Sequence, residues 1–405
     1  MSENKSFFTI LSIAILGTIV LICSNGLTFS GITIFDSALL EEFGWSKSEL
    51  KFRDFLNSIS SAALMPFVGA IIDKYGSKKT IIVGLFIIAG LYYAYSFIQA
   101  SWHMYAIHIG FALAVAGAST LAVIIMVSQR IKKNRGTAIG IALAGTSLGG
   151  IIIPQIGGPL LENFGWRVSF QWEALIPVGI AILIFFFLKP VKEQTEEDKT
   201  AEEATEFNFK QALASPVFWA ICVTGTFCFY SIMGIIANLF LYLLELGYSE
   251  AEARNTFSLF FLVILFAKLG SGIITDFINE YKLFKIQLVL MLLGTVGMAM
   301  NSEAFVWPSL IAVGIGWGGL YTLLNYIIIS TFGVKAAGKI GGVISVFEGV
   351  GVGLGAWLTG LISDQTGSYS ASFWVVVGLL TISFITSFYI KYVTPDNGNG
   401  SITTA

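Results

Sequence analysis

Apolar blocks of about 20 residues recur along the whole of this 405-residue chain. Twenty helical residues rising 1.5 Å each cover about 30 Å, the thickness of a bilayer's hydrocarbon core. In hydrocarbon every backbone N–H and C=O must be satisfied within its own segment, so blocks of this length read as membrane-crossing helices. Composition agrees: 55% of the residues are hydrophobic, only 12% are charged, and the mean hydropathy is +0.80. Ordinary soluble domains do not look like this. The expected fold class is an all-α integral membrane protein.

The first span, Phe7 to Phe35, is too long for a signal-peptide core and lacks a small-residue cleavage pattern, so it is expected to remain as a mature helix. Hydropathy and turn signals place eleven more, over 53–73, 79–99, 103–128, 136–162, 170–189, 216–245, 254–276, 284–301, 305–332, 338–363 and 370–392. The polar, acidic stretch 190–213 divides the twelve into an N-terminal six-helix bundle over 1–189 and a C-terminal one over 214–405, with 190–213 as a cytoplasmic linker. Seventeen of the 23 lysines and arginines fall in connections on one side of the membrane. Five (Lys47, Lys51, Arg53, Arg167 and Arg254) fall on the other, and Lys268 completes the total. Cytoplasmic segments carry the basic excess, so both termini are expected in the cytoplasm of a multi-pass plasma-membrane protein.

The two halves echo each other. Gly69-Ala-Ile-Ile-Asp73 returns as Gly272-Ile-Ile-Thr-Asp276, displaced by 203, and Gly145 and Gly149 return as Gly349 and Gly353, displaced by 204. A steady offset of half the chain marks a parallel repeat, two pseudo-symmetric bundles that rock about a central site. The run Gly349-x-Gly351-x-Gly353-x-Gly355 implies close helix packing; no strand precedes it, so it is no phosphate loop.

Several function classes are excluded. Cys23, Cys222 and Cys228 all lie in apolar spans, and His103 and His108 belong to no metal-ligand cluster, so no metal site and no cofactor are expected. There is no nucleophile, base and orienter constellation, hence no enzyme, and no basic stripe for nucleic acid. The expected environment is the lipid bilayer and the expected state a monomer.

The charge that demands explanation is Lys268, near the middle of the apolar stretch Asn255 to Asp276. An ammonium at bilayer depth costs about 2.5 to 3.5 kcal/mol by insertion scales, so it survives facing a polar cavity or a partner. Glu348 lies at comparable depth in the eleventh span, where a contact with Lys268 is feasible; structural ion pair, proton coupling and contact with a cationic substrate group are its competing roles. Tyr321 and Asn325, four residues apart, share one helix face. His108, in the fourth span, is a candidate proton site or a packing residue. Asn25, with Ser30, Gln155 and Asn238, is a further candidate to line a pocket or to join helices.

The loop after the second span, Gly69-x-x-x-Asp73-Lys74-x-Gly76-x-Lys78-Lys79, resembles the signature loop of the major facilitator superfamily. Three other stretches are similar to its monocarboxylate porter branch, which includes oxalate:formate exchangers. They are Glu42-Phe43-Gly44-Trp45-Ser46-Lys47-Ser48, Arg135-Gly136-Thr137-Ala138-Ile139-Gly140 with Gly165-Trp166-Arg167, and Asp364-Gln365-Thr366-Gly367-Ser368-Tyr369. The resemblance implies a conformational latch at Gly69, Asp73, Lys74, Gly76 and Lys78, repeated in reduced form at Asp276. It also implies that Lys268, where the branch usually has arginine, meets the substrate carboxylate. Tyr321 and Asn325 match positions that line the ligand site, and Thr120 stands where tyrosine is common. Oxalate-type relatives have a second basic residue in the eleventh helix, where this chain has Glu348. The expected function is secondary active transport of a small organic anion, a monocarboxylate first, by alternating access with proton symport or anion exchange. The alternative, motivated by Thr120, Glu348 and the 14% aromatic content, is proton-coupled efflux of a larger amphiphilic compound.

Overall fold

A computed structural model describes residues 2–131, 134–188, 213–275, 277–390, 393–395 and 402–404. The 190–213 linker lies outside these apart from Leu213, as does Asp276; for Gly69, Asp73 and Asn325 only the backbone is described. Among the described residues, ten stretches are long and apolar enough to cross a membrane. One of them, 135–187, crosses twice, and a helix at 47–75 that is not among the ten completes twelve passes.

The first pass is α1 (Ser2–Asn25), a loosely wound π segment (Gly26–Ser30), a tight 3-10 segment (Gly31–Phe35) and α2 (Asp36–Phe43). It therefore continues to Phe43 rather than stopping at Phe35. α3 (Lys47–Tyr75) follows, its first turn capped by Ser46, whose Oγ accepts from the Glu49 N–H at 3.1 Å. It starts at Lys47 rather than 53, so Lys51 and Arg53 are not loop charges. Both are fully buried.

α4 (Ser77–Tyr95) is followed by α5 (Ser101–Gly117) and α6 (Thr120–Ser128). These last two replace the continuous fourth span expected over 103–128. Ser119 caps α6 by accepting from the Ala122 N–H, and such a cap needs the backbone to leave the helical region. α7 (Arg135–Glu173) bends at Gly165, where φ is +75°, and α8 (Leu175–Phe187) ends the first half.

The second half comprises α9 (Pro216–Glu245), α10 (Glu250–Ile274), α11 (Glu280–Ala299), α12 (Glu303–Thr366) and α13 (Tyr369–Thr386). α12 is helical throughout its 64 residues. A straight helix of that length would reach about 96 Å, so it holds two passes, Glu303–Phe332 and Ile340–Thr366. A short antiparallel hairpin, β1 (Val393–Pro395) with β2 (Ile402–Thr404), follows the last helix.

Within the first half α1 packs on α7, and α3 and α4 on α5; within the second, α9, α11 and α13 pack on α12. Across the seam α3 lies along α12 and α7 along α10. The repeat exchanges these two contacts, as a two-fold relation between the bundles requires.

Glycine spacing shows the register of that relation. A Cβ on Gly145 would meet the Thr18 carbonyl, and one on Gly149 the Ile22 carbonyl, both on α1. The equivalent close approaches in the second half are Gly351 to the Thr226 carbonyl and Gly355 to that of Tyr230, both on α9. Gly349 and Gly353, the matches by sequence offset, instead face Ala62, Ser58 and Phe55 of α3 across the seam. The structural offset here is thus 206 rather than 204: one set of glycines packs the bundle and the interleaved set packs the seam.

Candidate functional site

A cavity of about 310 Å³ lies between the halves. Its polar wall includes Asn25, Ser30, Ser58, Ser61, Thr146 and Tyr321; its apolar wall includes Phe29, Phe229, Phe261, Trp317, Met65 and Met233. Phe229, Trp317 and Tyr321 stack edge to face, with ring centroids 5.0 Å (Phe229–Trp317) and 5.8 Å (Trp317–Tyr321) apart. Among the described residues lining it there is no lysine or arginine.

Lys268 touches that wall from behind. Gly318 lets α12 run close against the α10 backbone at Ile264 and Lys268, which sets Tyr321, one turn further on, beside the ammonium. Lys268 Nζ lies 4.5 Å from the Tyr321 ring centroid. It donates to Thr146 Oγ1 at 2.9 Å and Ser147 Oγ at 3.3 Å, both on α7 of the other half. The neighbouring side chains Phe266 and Leu269 are exposed on the outer face of α10, so the helix turns its lysine inward. Among the described residues no carboxylate lies within ion-pair distance of this ammonium.

The contact with Glu348 that the depths allowed is therefore not formed in this conformation. Glu348, on α12, stands beside Gly225 of α9 instead. Asn25 and Ser30 line the cavity, whereas Thr120 opens α6 and is not among the lining residues. Asn325 lies outside the described side chains. Asn238 is fully buried and joins helices, donating to the Gly234 and Ala356 carbonyls and accepting from the Tyr369 hydroxyl.

One end of the molecule is sealed across the seam. Asp364, near the end of α12, accepts from the backbone N–H groups of Lys47 (3.0 Å) and Ser48 (2.6 Å) at the start of α3. Lys47 Nζ donates to Ser363 Oγ at 2.9 Å, and Arg254 pairs with Glu162 at 2.6 Å. Gln155 donates to Asn255 Oδ1 and Ser258 Oγ. At the opposite end, Lys78 donates to the Phe185 carbonyl at 2.7 Å within one half, Gly76 turns the chain at φ +80°, and exposed Lys74 lies over the Tyr75 ring. The remaining latch positions, Gly69, Asp73 and Asp276, have no described side chains.

A second polar centre was missed by sequence reasoning. Asp36, Lys51 and Arg53 are fully buried; the Asp36 carboxylate takes Lys51 on one oxygen and Arg53 on the other. Lys51 also donates to the Ala237 carbonyl of α9, across the seam. Asp54, His108 and Tyr95 complete the cluster. Glu173, buried beside Gly157, is a further interior carboxylate that sequence reasoning passes over. Lys268 and Glu348 are thus not the only deep charges. The available signal was Lys51-x-Arg53-Asp54 itself, three charges within four residues next to an apolar span.

Comparison with known proteins gives consistent results. The family profile of the Major Facilitator Superfamily matches residues 16–356 and 257–403. The hexuronate transporter of Bacillus subtilis is 25% identical over 368 residues, covering 85% of each chain. The oxalate:formate antiporter of Oxalobacter formigenes is 24% identical over 79% of this chain and 76% of its own. The MFS-type transporter hasB of Aspergillus fumigatus is 30% identical over 53% of this chain, which spans about half the length of that relative. Among solved structures, a bacterial homolog to the human lysosomal transporter Spinster, inward-facing and occupied, superposes with a TM-score of 0.71 at 15% identity, covering 95% of this chain and 94% of that one. That last likeness is one of fold.

Proposed function

Because this chain belongs to the Major Facilitator Superfamily and is a membrane transporter rather than an enzyme, we propose that its cargo is a small organic anion with one carboxylate. The observation that carries this reading is the Lys268 ammonium, held against the cavity wall by two hydroxyls and a ring face, with no carboxylate partner among the described residues. A desolvated ammonium attracts an anion strongly because little water screens it. A substrate carboxylate replaces the Thr146 and Ser147 hydroxyls as its partner, and the Tyr321 and Asn325 side chains orient the rest of the solute. Among the described residues Lys268 is the one cation against the cavity wall, which favours one carboxylate over two. Hexuronates, transported by one relative, carry one carboxylate each.

In this reading both termini are cytoplasmic, residues 1–189 and 214–405 are the two moving bundles, and the end sealed by Lys47 and Asp364 faces the cell exterior of the plasma membrane. The seal at that end is what an inward-open member of an alternating-access cycle would have, with Asp73, Lys74 and Lys78 latching the opposite state. The protein acts as a monomer.

The aromatic and thioether wall (Phe29, Phe229, Phe261, Trp317, Met65, Met233) favours a second reading, proton-coupled efflux of a larger amphiphile. Flux into proteoliposomes against a panel of mono-, di- and zwitterionic solutes separates the two. Saturable uptake of monocarboxylates alone supports the first; movement of amphiphiles with indifference to monocarboxylates replaces it with the second.

A further inference from the structure

We propose that Asp54 and His108 form the proton-binding site of this transporter; the inference rests on the transport reading above and names its coupling ion. The site lies in the buried cluster of the first half, away from the cavity and from Lys268.

The cluster's charges balance when the imidazole is neutral: Asp36 and Asp54 against Lys51 and Arg53. Its hydrogen bonds do not balance. Asp36 has a cationic partner on each oxygen, Lys51 and Arg53, but Asp54 Oδ2 and both nitrogens of His108 are buried with no hydrogen-bond partner. A neutral imidazole has one donor and one acceptor, and here neither is used. Asp54 Oδ1 lies 4.0 Å from His108 Nδ1 and 3.7 Å from Arg53 Nε. Tyr95 and Phe111 wall the ring edge-on. Asp54 of α3 and Tyr95 of α4 face His108 directly; Lys51 and Arg53 of α3 act on it electrostatically and are both bound to Asp36 of α2, which in turn acts on Tyr369 of α13 in the other half.

What an added proton supplies is charge: a neutral Nδ1–H tautomer can also donate to Asp54 Oδ1, but an imidazolium is drawn to that carboxylate by attraction as well. Closing the 4.0 Å gap from Nδ1 to Asp54 Oδ1 to hydrogen-bond length needs a shift of about 1 Å. The cluster then carries one net positive charge. While sealed and dry it cannot hold that charge cheaply, but hydrated it can.

The same cluster is part of the seal, since Lys51 shares Asp36 with Arg53 and also donates to the Ala237 carbonyl of α9. Opening this end withdraws that carbonyl and wets the cluster, so a proton enters from the outer solution. Resealing raises the cost of the extra charge and expels the proton. The proton leaves towards the cavity, which Ser58 lines one helical turn along α3 from Asp54; the Ser58 hydroxyl is itself held by the Asp54 backbone carbonyl at 2.8 Å, so water in the opened cavity, not that bond, carries the proton. The structure is the proton-released form.

The test needs no known substrate. NMR of the purified protein in nanodiscs, with ring-labelled histidine, reports the protonation of His103 and His108, assigned by His108→Gln. His108 is expected to titrate, and Asp54→Asn to lower its midpoint by at least one pH unit, a tenfold loss of proton affinity. A His108 that keeps one neutral tautomer across the stable pH range, or a midpoint unmoved in Asp54→Asn, overturns the proposal. In proteoliposomes the ratio of solute accumulation with an acid-outside gradient to that without one is expected to fall to about one in both variants; a ratio equal to that of the parent protein overturns it. If the parent protein moves no carboxylate at all, the cargo reading fails while the histidine titration still decides the proton site.

Discussion

Lys268 Nζ lies 2.9 Å from Thr146 Oγ1, and this bond joins a helix of one bundle to a helix of the other. If a substrate carboxylate takes over that ammonium, Thr146 competes with the substrate. Hydrogen bonds to charged groups contribute about 1.5 to 3 kcal/mol, and Ser147 retains part of that. Thr146→Val is therefore expected to lower the thermal stability of the empty protein and to enlarge the stabilisation produced by a transported monocarboxylate. Thermal unfolding with and without solute measures both. A smaller ligand-induced shift in the variant would make Thr146 a substrate contact instead.

Asp36 neutralises two fully buried cations. Removing one partner of a buried pair costs about 3 to 5 kcal/mol because the other charge is left uncompensated. Asp36→Asn is expected to unfold at much lower temperature than the parent, and Asp36→Asn with Lys51→Met to recover part of the loss. A double-mutant cycle in detergent reads the coupling; additive effects would mean that the two side chains do not act as a pair.

The interleaved glycines of α12 separate stability from motion. A methyl on Gly351 or Gly355 meets a backbone carbonyl of α9 within the same bundle, and overpacking costs about 1 to 3 kcal/mol. One on Gly349 or Gly353 meets α3 side chains and backbone across the seam, where the halves part if transport proceeds by alternating access. Gly351→Ala and Gly355→Ala should lower unfolding temperature. Gly353→Ala should leave it nearly unchanged and raise the labelling, by an impermeant thiol reagent, of a cysteine placed at Ser48. Equal destabilisation by both kinds of substitution would contradict the assignment.

Much of the architecture was legible because bilayer thickness dictates span length and hydrocarbon dictates helices. Lys268 stood out for the same reason, as a charge in the middle of an apolar run. Lys51, Arg53 and Asp54 did not, since charges at a span's end look like ordinary loop residues until Asp36 and His108 are brought against them by tertiary packing. The break before Thr120 carried a local signal, the capping residue Ser119 inside an apolar stretch. The Lys268 partners carried none: Thr146 and Ser147 are small hydroxyl residues that helices tolerate anywhere, and only the seam brings them to the ammonium. The repeat offset drifted by two residues because identity matching cannot tell a bundle-facing glycine from a seam-facing one.

The proposed cargo requires the Lys268 ammonium to hold the substrate carboxylate. Counterflow of a monocarboxylate in proteoliposomes tests it most directly, comparing Lys268→Gln and Lys268→Arg with the parent at equal amounts of folded protein. At least a hundredfold loss is expected in Lys268→Gln, with partial retention in Lys268→Arg, which keeps the charge. Undiminished counterflow in Lys268→Gln would contradict that requirement.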